Sequence, residues 1–192
     1  MASFFCIFSS AYSLFYATLI GIKYQKGVSM VILGIDPGFS ITGYSILQKN
    51  KNQVIMLDHG FLKLPSTLPL SDRVGIFYDS LAAKIKQHGV TAISLETSFL
   101  GKNAQTFLKL GYLRGILYLL ASQYQLKIFE FAPRQVKQTV TGYGAADKEQ
   151  VAKVLSMLFP QISQTLKADV TDAIAISLCG LWQSENNNHV AL

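Results

Sequence analysis

The sequence is poor in cysteine, and this scarcity excludes several classes of protein. Its two cysteines, Cys6 and Cys179, lie far apart in apolar surroundings, so the sequence contains neither a disulfide framework nor a cysteine motif for metal binding. This cysteine usage is typical of a reducing compartment, and we expect a cytoplasmic protein. Outside the first 29 residues the sequence has no internal repeat, heptad run or low-complexity tract, which argues against a solenoid or a coiled coil.

Acidic residues are also scarce. The 192 residues include 11 Asp and Glu against 17 Lys and Arg, which gives a net charge of +6 and an isoelectric point near 9.3. This balance favours a polyanionic partner without proving one. The length corresponds to one domain, large enough to form its core without disulfides.

Charge is absent from residues 1–22, an apolar stretch long enough to cross a bilayer. The stretch lacks both the basic start and the cleavage site of a secretory signal, which makes secretion the weakest interpretation. As a membrane anchor, it would keep the domain in the cytoplasm because Lys23 and Lys26 follow it. We favour an apolar extension outside the fold, residues 1–29, because Met30 stands directly before the first strand. We therefore expect no membrane partner.

Hydrophobic periodicity predicts an α/β fold with a mixed five-stranded sheet covered by helices. The first three strands form an antiparallel meander, and two parallel strands follow. The strands are predicted over residues 31–36, 41–47, 53–64, 90–96 and 126–131, and the helices over 70–88, 103–124, 133–140, 147–159 and from about 166 onward. The domain spans residues 30–183, and residues 184–192 form a polar C-terminal tail.

Two of the predicted strands end in a carboxylate. Asp36 closes the first strand before Pro37-Gly38, and Glu96 closes the fourth. A right-handed crossover through the intervening helix makes these strands parallel, with both acids at the same end of the sheet. Like charges this close do not both stay ionised unless a cation lies between them, which is an argument for a metal. The alternative for Asp36 is a cap of the Pro-Gly turn.

The last predicted helix carries two more acids on one face. Asp169 and Asp172 stand at positions i and i+3 within its first turns, where the helix dipole favours their ionised form. Asp169 is also interpretable as an N-cap, whereas Asp172 is surrounded by alanine and isoleucine. Carboxylate oxygens at the edges of buried elements suit Mg²⁺ or Mn²⁺ rather than zinc.

Positive charge gathers in the second half of the chain. Lys137 and Lys148 flank the Gly142-Tyr143-Gly144 loop, an arrangement suited to a phosphate backbone beside an aromatic ring. The alternative is a solvated lysine face.

Two glycines, Gly111 and Gly115, lie one turn apart in the helix predicted over residues 103–124. Because glycine lowers helix stability, they indicate a close helix contact. That contact is either with a second subunit or with the protein's own sheet.

Residues 30–182 resemble, in unbroken order, the RuvC family of Holliday junction resolvases, which have a ribonuclease H-like fold. The stretches that carry the resemblance are Gly34-Ile35-Asp36-Pro37-Gly38 with Thr42-Gly43-Tyr44, Glu96 with Phe99, Lys102-Asn103-Ala104 with Lys109-Leu110-Gly111 and Arg114-Gly115, residues 134–140, and Lys167-Ala168-Asp169 with Asp172-Ala173. The stretch 134–140 is highly specific. The opening Asp-Pro-Gly alone also begins sugar kinases and actin-like ATPases.

The resemblance implies a metal-dependent endonuclease that resolves four-way DNA junctions in recombination and repair. It implies that Asp36, Glu96, Asp169 and Asp172 are catalytic and hold two Mg²⁺ ions, for which Mn²⁺ substitutes; some relatives carry His in place of Asp169. One ion would activate a water and the other would stabilise the departing 3′ oxygen, leaving 5′-phosphate and 3′-hydroxyl ends.

The resemblance also implies the contacts with DNA and with other proteins. The DNA-binding residues would be Phe99, Lys102, Asn103, Arg134, Lys137 and Lys148. Among these, Phe99 matches an aromatic residue beside the unpaired bases of the junction. The family acts as a homodimer with the branch-migration proteins RuvA and RuvB.

Two other functions fit part of the pattern. An actin-like phosphotransferase would use the turn after Asp36 to hold Mg-ATP, but it needs a second phosphate loop and a second lobe. A DNA-binding protein of the same fold would keep its acids for structure alone. In that case Asp36→Asn would change no activity, whereas the nuclease hypothesis expects junction binding without cleavage.

Overall fold

The structure, a computed structural model, describes residues 30–50, 53–97, 104–160 and 167–188, with side chains up to residue 183. The strands are β1 (Val31–Asp36), β2 (Ile41–Asn50), β3 (Gln53–Lys63), β4 (Ala92–Glu96) and β5 (Lys127–Phe131). The helices are α1 (Leu70–His88), α2 (Ala104–Tyr124), α3 (Pro133–Thr141), α4 (Lys148–Leu158) and α5 (Ala168–Asn188).

The five strands form one mixed sheet in the order β3-β2-β1-β4-β5. β1, β2 and β3 pair antiparallel, whereas β4 lies parallel to β1 and β5 lies parallel to β4. The predicted meander and the predicted parallel pair are therefore confirmed. Because β1 and β4 are parallel neighbours, their carboxyl ends lie at the same edge of the sheet.

Helices cover both faces of the sheet, as the apolar character of β1 requires. Alternate residues of β1 serve opposite layers: Leu33 and Ile35 pack with α1 and α2, whereas Ile32 packs with α3, α4 and α5. Each layer forms a core of buried side chains, and the sheet separates the two cores. The site-bearing helix α5 belongs to the second layer.

Helix α5 lies very close to the sheet because small residues line the contact. A Cβ added to Gly43 would stand 1.9 Å from the backbone oxygen of Asp169, so only glycine fits there. Two buried hydroxyls satisfy α5 carbonyls: Ser45 donates to Ala173 at 3.1 Å and Ser94 donates to Ile176 at 2.7 Å. These contacts fix the start of α5 against the edge where β1 and β4 end.

The helix ends follow their sequence signals. Helix α1 ends at Gly89, which is left-handed with φ of 61°. Helix α4 begins after Asp147, whose carboxylate accepts a hydrogen bond from the Gln150 backbone while the Gln150 side chain accepts one in return, and this confirms the predicted N-cap. Helix α5 continues to Asn188, five residues into the segment predicted as a tail.

No helix in the described ranges has the length and apolarity needed to cross a bilayer. The predicted extension, residues 1–29, lies outside the described residues.

Candidate active site

Three of the four predicted carboxylates line a single cavity of about 210 Å³. Asp36 comes from the end of β1, Glu96 from the end of β4, and Asp172 from the first turns of α5. Lys137 and Lys148 line the same cavity. Its remaining wall is mostly apolar and consists of Pro133, Val136, Val151 and Ala175. The cavity thus combines charged groups of both signs with an apolar wall.

The fourth carboxylate, Asp169, lies beside this cavity rather than in its lining. It stands within the first turn of α5, which begins at Ala168, so it is not the N-cap of that helix. Its negative charge still acts on the site, because it contributes to the raised pKa of Asp36. Asp169 therefore belongs electrostatically to the same group of acids.

The environment of the site raises the pKa values of two of its carboxyl groups. Burial raises the pKa of Asp36 from 3.8 to about 7, with further contributions from the charges of Asp172, Asp169 and Glu96. Burial also raises the pKa of Glu96, and the charge of Asp172 adds to that rise. Carboxylates that repel one another in a half-buried site gain from any cation that joins them.

One cation already present is Lys148. Its Nζ lies 3.3 Å from Oδ2 of Asp172, and the negative charge of Asp172 raises the pKa of the ammonium group. The side chain is otherwise 76% exposed, so this ion pair is easily exchanged with solvent and contributes little to stability. Lys148 also lowers the pKa of both Asp36 and Glu96.

The donor set suits a hard divalent cation. All four candidate ligands are carboxylates, the oxygen ligands that Mg²⁺ and Mn²⁺ prefer. Burial is the main cause of the raised pKa of Asp36, and the negative charges of Asp172, Asp169 and Glu96 raise it further. Across the described ranges, no three acidic, histidine or cysteine side chains stand close enough together to form a ready-made metal site. The carboxylates face the cavity from three elements and would have to move inward around the ions.

A comparison with known protein families shows which family the chain belongs to. The family model described as crossover junction endodeoxyribonuclease RuvC matches residues 32–180, which span every element from β1 to α5. The chain belongs to the RuvC family. It is therefore a member of a family of metal-dependent nucleases, and the predicted family and the ribonuclease H-like fold class are both confirmed.

Individual relatives agree over most of the chain. The RuvC nuclease of Chloroherpeton thalassium is 39% identical over 155 residues, which cover 81% of this chain and 83% of that protein. The RuvC nuclease of Halothermothrix orenii is 39% identical over 150 residues, which cover 78% of this chain and 91% of that protein. In fold, the chain is similar to Thermus thermophilus RuvC in complex with a Holliday junction substrate: the TM-score is 0.77 at 24% identity, over 82% of this chain and 96% of that one.

The predicted DNA-binding residues of this RuvC family member divide into three groups. Lys137 and Lys148 lie at the cavity. Arg134, at the start of α3, is exposed and packs against the backbone of Gly144 in the neighbouring loop, outside the cavity lining. The other three, Phe99, Lys102 and Asn103, lie outside the described residues.

The structure distinguishes between the two contacts predicted for Gly111 and Gly115, one with the protein's own sheet and one with a second subunit. Among the described residues, a Cβ added to either glycine would meet no atom within 4 Å. The interpretation that they allow α2 to pack on its own sheet is wrong, because the buried face of α2 is formed by Leu113, Leu117, Leu120 and Ala121. The contact with a second subunit stays a prediction.

One residue that touches the site was not predicted as part of it. Arg114 of α2 donates a hydrogen bond of 2.8 Å from Nη1 to the backbone oxygen of Glu96. The sequence shows an arginine one residue before Gly115 but gives no sign of which strand it reaches. The apolar cavity wall was missed for a similar reason, since its residues look like ordinary core positions of three separate helices.

Proposed function

We propose that this chain cuts four-way (Holliday) DNA junctions by paired phosphodiester hydrolysis, which leaves 5′-phosphate and 3′-hydroxyl ends. The observation that carries the proposal is the convergence of Asp36, Glu96 and Asp172 on one cavity that Lys137 and Lys148 also line. Membership of the RuvC family supports junction resolution in recombination and repair as the biological role.

The proposed catalytic residues are Asp36, Glu96, Asp169 and Asp172, and they would hold two Mg²⁺ ions, with Mn²⁺ as a substitute. When bound, such ions supply Lewis-acid chemistry: activation of a water and stabilisation of the departing oxygen. The protein would contribute the ligand geometry. Two strand ends fix Asp36 and Glu96, and one helix turn carries both Asp169 and Asp172, so the four groups approach the phosphate from different sides.

The remaining residues of the cavity would prepare the phosphate for attack. Lys148 and Lys137 place positive charge where the phosphate enters, and Lys148 would exchange Asp172 for a phosphate oxygen when DNA arrives. The apolar wall excludes bulk water, which strengthens these electrostatic contacts. A carboxyl group with a pKa of about 7, that of Asp36, must lose its proton before it can act as a ligand.

Binding of the junction would use a wider basic surface. The proposed contacts are Lys137 and Lys148 at the cavity, Arg134 beside the Gly144 loop, and Phe99, Lys102 and Asn103 in the segment before α2. The net charge of +6 favours association with the DNA backbone and predicts weaker binding at higher salt concentration.

A homodimer is part of the proposal because a junction offers two equivalent strands to cut. The outward face of α2 supports it: Leu108, Tyr112 and Leu119 are 56%, 40% and 45% exposed, and Gly111 and Gly115 leave open space between them. A face with this composition is suited to a close contact with a second copy. RuvA and RuvB would be further partners of the dimer.

The nuclease domain would span residues 30–183. The family model matches residues 32–180, which supports this boundary, and residues 1–29 would be an extension outside the fold. A cytoplasmic location is consistent with Cys179, the free buried cysteine of the described domain.

The decisive experiment incubates the full chain with a synthetic four-way junction or with a linear duplex, each in Mg²⁺ or in chelator. We expect paired nicks on the junction alone, only with metal, and with ends that ligase reseals directly. Glu96→Gln and Asp172→Asn should bind the junction and fail to cut it. Equal cutting of the linear duplex, or cutting in chelator, would contradict the proposal.

The same experiment separates the two other functions. A DNA-binding protein whose acids are only structural would retain the junction in a complex and release no nicked product under any condition. An actin-like phosphotransferase would hydrolyse ATP and leave both DNA substrates intact.

A further inference from the structure

Helix α2 reaches across the edge of the sheet to the residue that ends β4. The guanidinium group of Arg114 donates from Nη1 to the backbone oxygen of Glu96 at a distance of 2.8 Å. The bond goes to the main chain, so it fixes where the Cα of Glu96 lies while leaving the carboxylate free. The side chain of Arg114 is only 13% exposed, which makes this a sheltered contact.

The other arm of the guanidinium is held just as firmly. Nη2 of Arg114 lies 3.0 Å from Oε2 of Glu130 on β5 and donates to the hydroxyl of Tyr118 at 3.2 Å. Tyr118 in turn donates to the Glu130 carboxylate. Because a guanidinium is a rigid planar fork, anchoring one arm on Glu130 sets the direction in which the other arm points at Glu96.

On the side of β1, the pairing of β4 ends just before Glu96. The ladder between β1 and β4 stops at Ile35 and Leu95, one residue before Glu96. On the other side, β4 and β5 are last paired at Glu96 and Phe131, followed by a hydrogen bond from Thr97 N to Phe131 O. Glu96 therefore lies where sheet pairing ends, and Arg114 supplies the contact from the α2 side.

We propose that Arg114 is a positioning residue that holds the backbone of Glu96 so that its carboxylate binds the divalent cation. The inference rests on the proposed function, in which Glu96 is a metal ligand. Groups that orient a ligand from behind typically change metal affinity or activity by about 10-fold to 100-fold when they are removed. We expect a loss in that range for Arg114→Met.

The test measures cation binding by the full-length protein directly. Titration calorimetry with Mn²⁺ gives the affinity without DNA, and the rate of junction cutting against Mg²⁺ concentration gives the half-saturating concentration. The variants are Arg114→Met, Arg114→Lys, Glu130→Gln and Glu96→Gln. Lys127→Met is the control for the loss of one positive charge, at an exposed position of β5. Thermal unfolding of each variant is measured alongside.

Arg114→Met should weaken Mn²⁺ binding and raise the half-saturating Mg²⁺ concentration, with cutting recovered at high Mg²⁺. Arg114→Lys keeps the charge but lacks the fork, and it should weaken binding too. Glu130→Gln leaves the bond to Glu96 available and should change the affinity less than Arg114→Met. Lys127→Met should match the wild type.

Two results would overturn the inference. One is wild-type Mn²⁺ affinity in both Arg114 variants, since a purely structural arginine would lower thermal stability without moving the metal response. The other is a larger loss in Glu130→Gln than in Arg114→Met, which would assign the effect to the Glu130 carboxylate rather than to the bond between Arg114 and Glu96. The Glu96→Gln variant tests the proposed function separately. If it binds metal and cuts junctions like the wild type, Glu96 is not a metal ligand and the proposed function itself fails.

Discussion

Asp36 is the residue at which stability and function oppose each other most directly. Its pKa of about 7 in the folded protein is well above its usual 3.8, so the folded chain binds a proton that the unfolded chain has released. The free energy of unfolding therefore falls as pH rises from about 4 to about 7, and it stays low above that. Under the proposed function, this loss of stability accompanies the use of the carboxylate as a metal ligand.

Asp36→Asn should consequently stabilise the metal-free protein at pH 8 by about 1–2 kcal/mol, which corresponds to a rise of roughly 2–8 °C in melting temperature. It should also abolish cutting while junction binding persists. Thermal unfolding in chelator at pH 8 and at pH 4 measures the effect, and at pH 4 the two proteins should differ far less. A variant that is less stable than wild type at pH 8 would contradict the burial of a charged carboxylate.

The charge of Lys148 leads to a second prediction, which concerns the pH dependence of cutting. Its charge lowers the pKa of both Asp36 and Glu96, so Lys148→Met should raise both pKa values further. The acid limb of the pH dependence of cutting, measured at saturating protein, should therefore move to higher pH. Lys153→Met, which removes an exposed lysine from the same helix, is the control and should leave the limb in place. An unshifted limb in Lys148→Met would mean that Lys148 acts on DNA alone.

At the scale of elements, the site depends on how closely α5 approaches the sheet. Gly43→Ala would place a methyl group 1.9 Å from the backbone oxygen of Asp169, and backbone cannot yield as a flexible side chain does. We expect a loss of about 1–3 kcal/mol in the free energy of unfolding together with weaker metal binding, because the displaced turn carries Asp169. Denaturant unfolding and Mn²⁺ titration measure the two effects.

Gly75→Ala provides the matched comparison. Gly75 lies within α1, and a Cβ there would meet no atom within 4 Å in the part of the chain that the structure describes. The substitution should stabilise the protein by about 0.5–1 kcal/mol through helix propensity alone. If Gly43→Ala were as harmless as Gly75→Ala, the close approach of α5 to β2 would not exist in solution.

The elements also show what the sequence does and does not predict. Strand ends and helix caps are local: a run of apolar residues before Asp36, a glycine after His88 and an Asp147 three residues before Gln150 each determine one boundary. The meeting of Asp36 and Glu96 at one sheet edge follows from these boundaries once the crossover is right-handed. The position of Asp172 beside them does not follow from the crossover, and the sequence indicates it through the family resemblance. The reach of Arg114 to Glu96 does not follow, because it depends on how α2 lies over β4 and β5, which no local pattern encodes.

Helix α2 is a second case in which the sequence alone does not predict the packing. Its apolar residues are spread around the helix: Leu113, Leu117 and Leu120 are buried, whereas Phe107 is 37% exposed. Only the packed structure reveals that Leu108, Gly111, Tyr112, Gly115 and Leu119 share one outward stripe. A second copy packed on this stripe, as proposed above, would account for the apolar side chains that the single chain leaves exposed.

At the scale of the whole molecule, this outward stripe and the site meet at α2. Tyr118 is 45% exposed on the same side of the helix and hydrogen-bonds with Arg114 and Glu130. A second copy packed on the stripe would cover Tyr118 and order the contacts that hold Glu96. Dimerisation would then support both halves of a paired cut, by spacing two sites and by stabilising each one.

The proposed dimer can be tested by substituting the two glycines of the outward stripe. Gly111→Leu with Gly115→Leu fills open space in the single chain and improves helix propensity, so each monomer should fold at least as stably as wild type. If a second copy packs closely on the stripe, the added side chains should weaken association by about tenfold or more, equivalent to roughly 1.4 kcal/mol. Analytical ultracentrifugation over a range of concentrations measures this, with Gly75→Leu on α1 as the control.

The double glycine variant should also change the pattern of nicks in the junction, and a change in monomer stability would not explain that pattern. Separated monomers would cut the two strands independently, so singly nicked junctions should accumulate, whereas the wild type and Gly75→Leu should yield paired nicks. Unchanged association in the double variant would move the dimer contact away from α2. Paired nicks despite clear dissociation would show that the junction itself, rather than the helix face, brings two chains together.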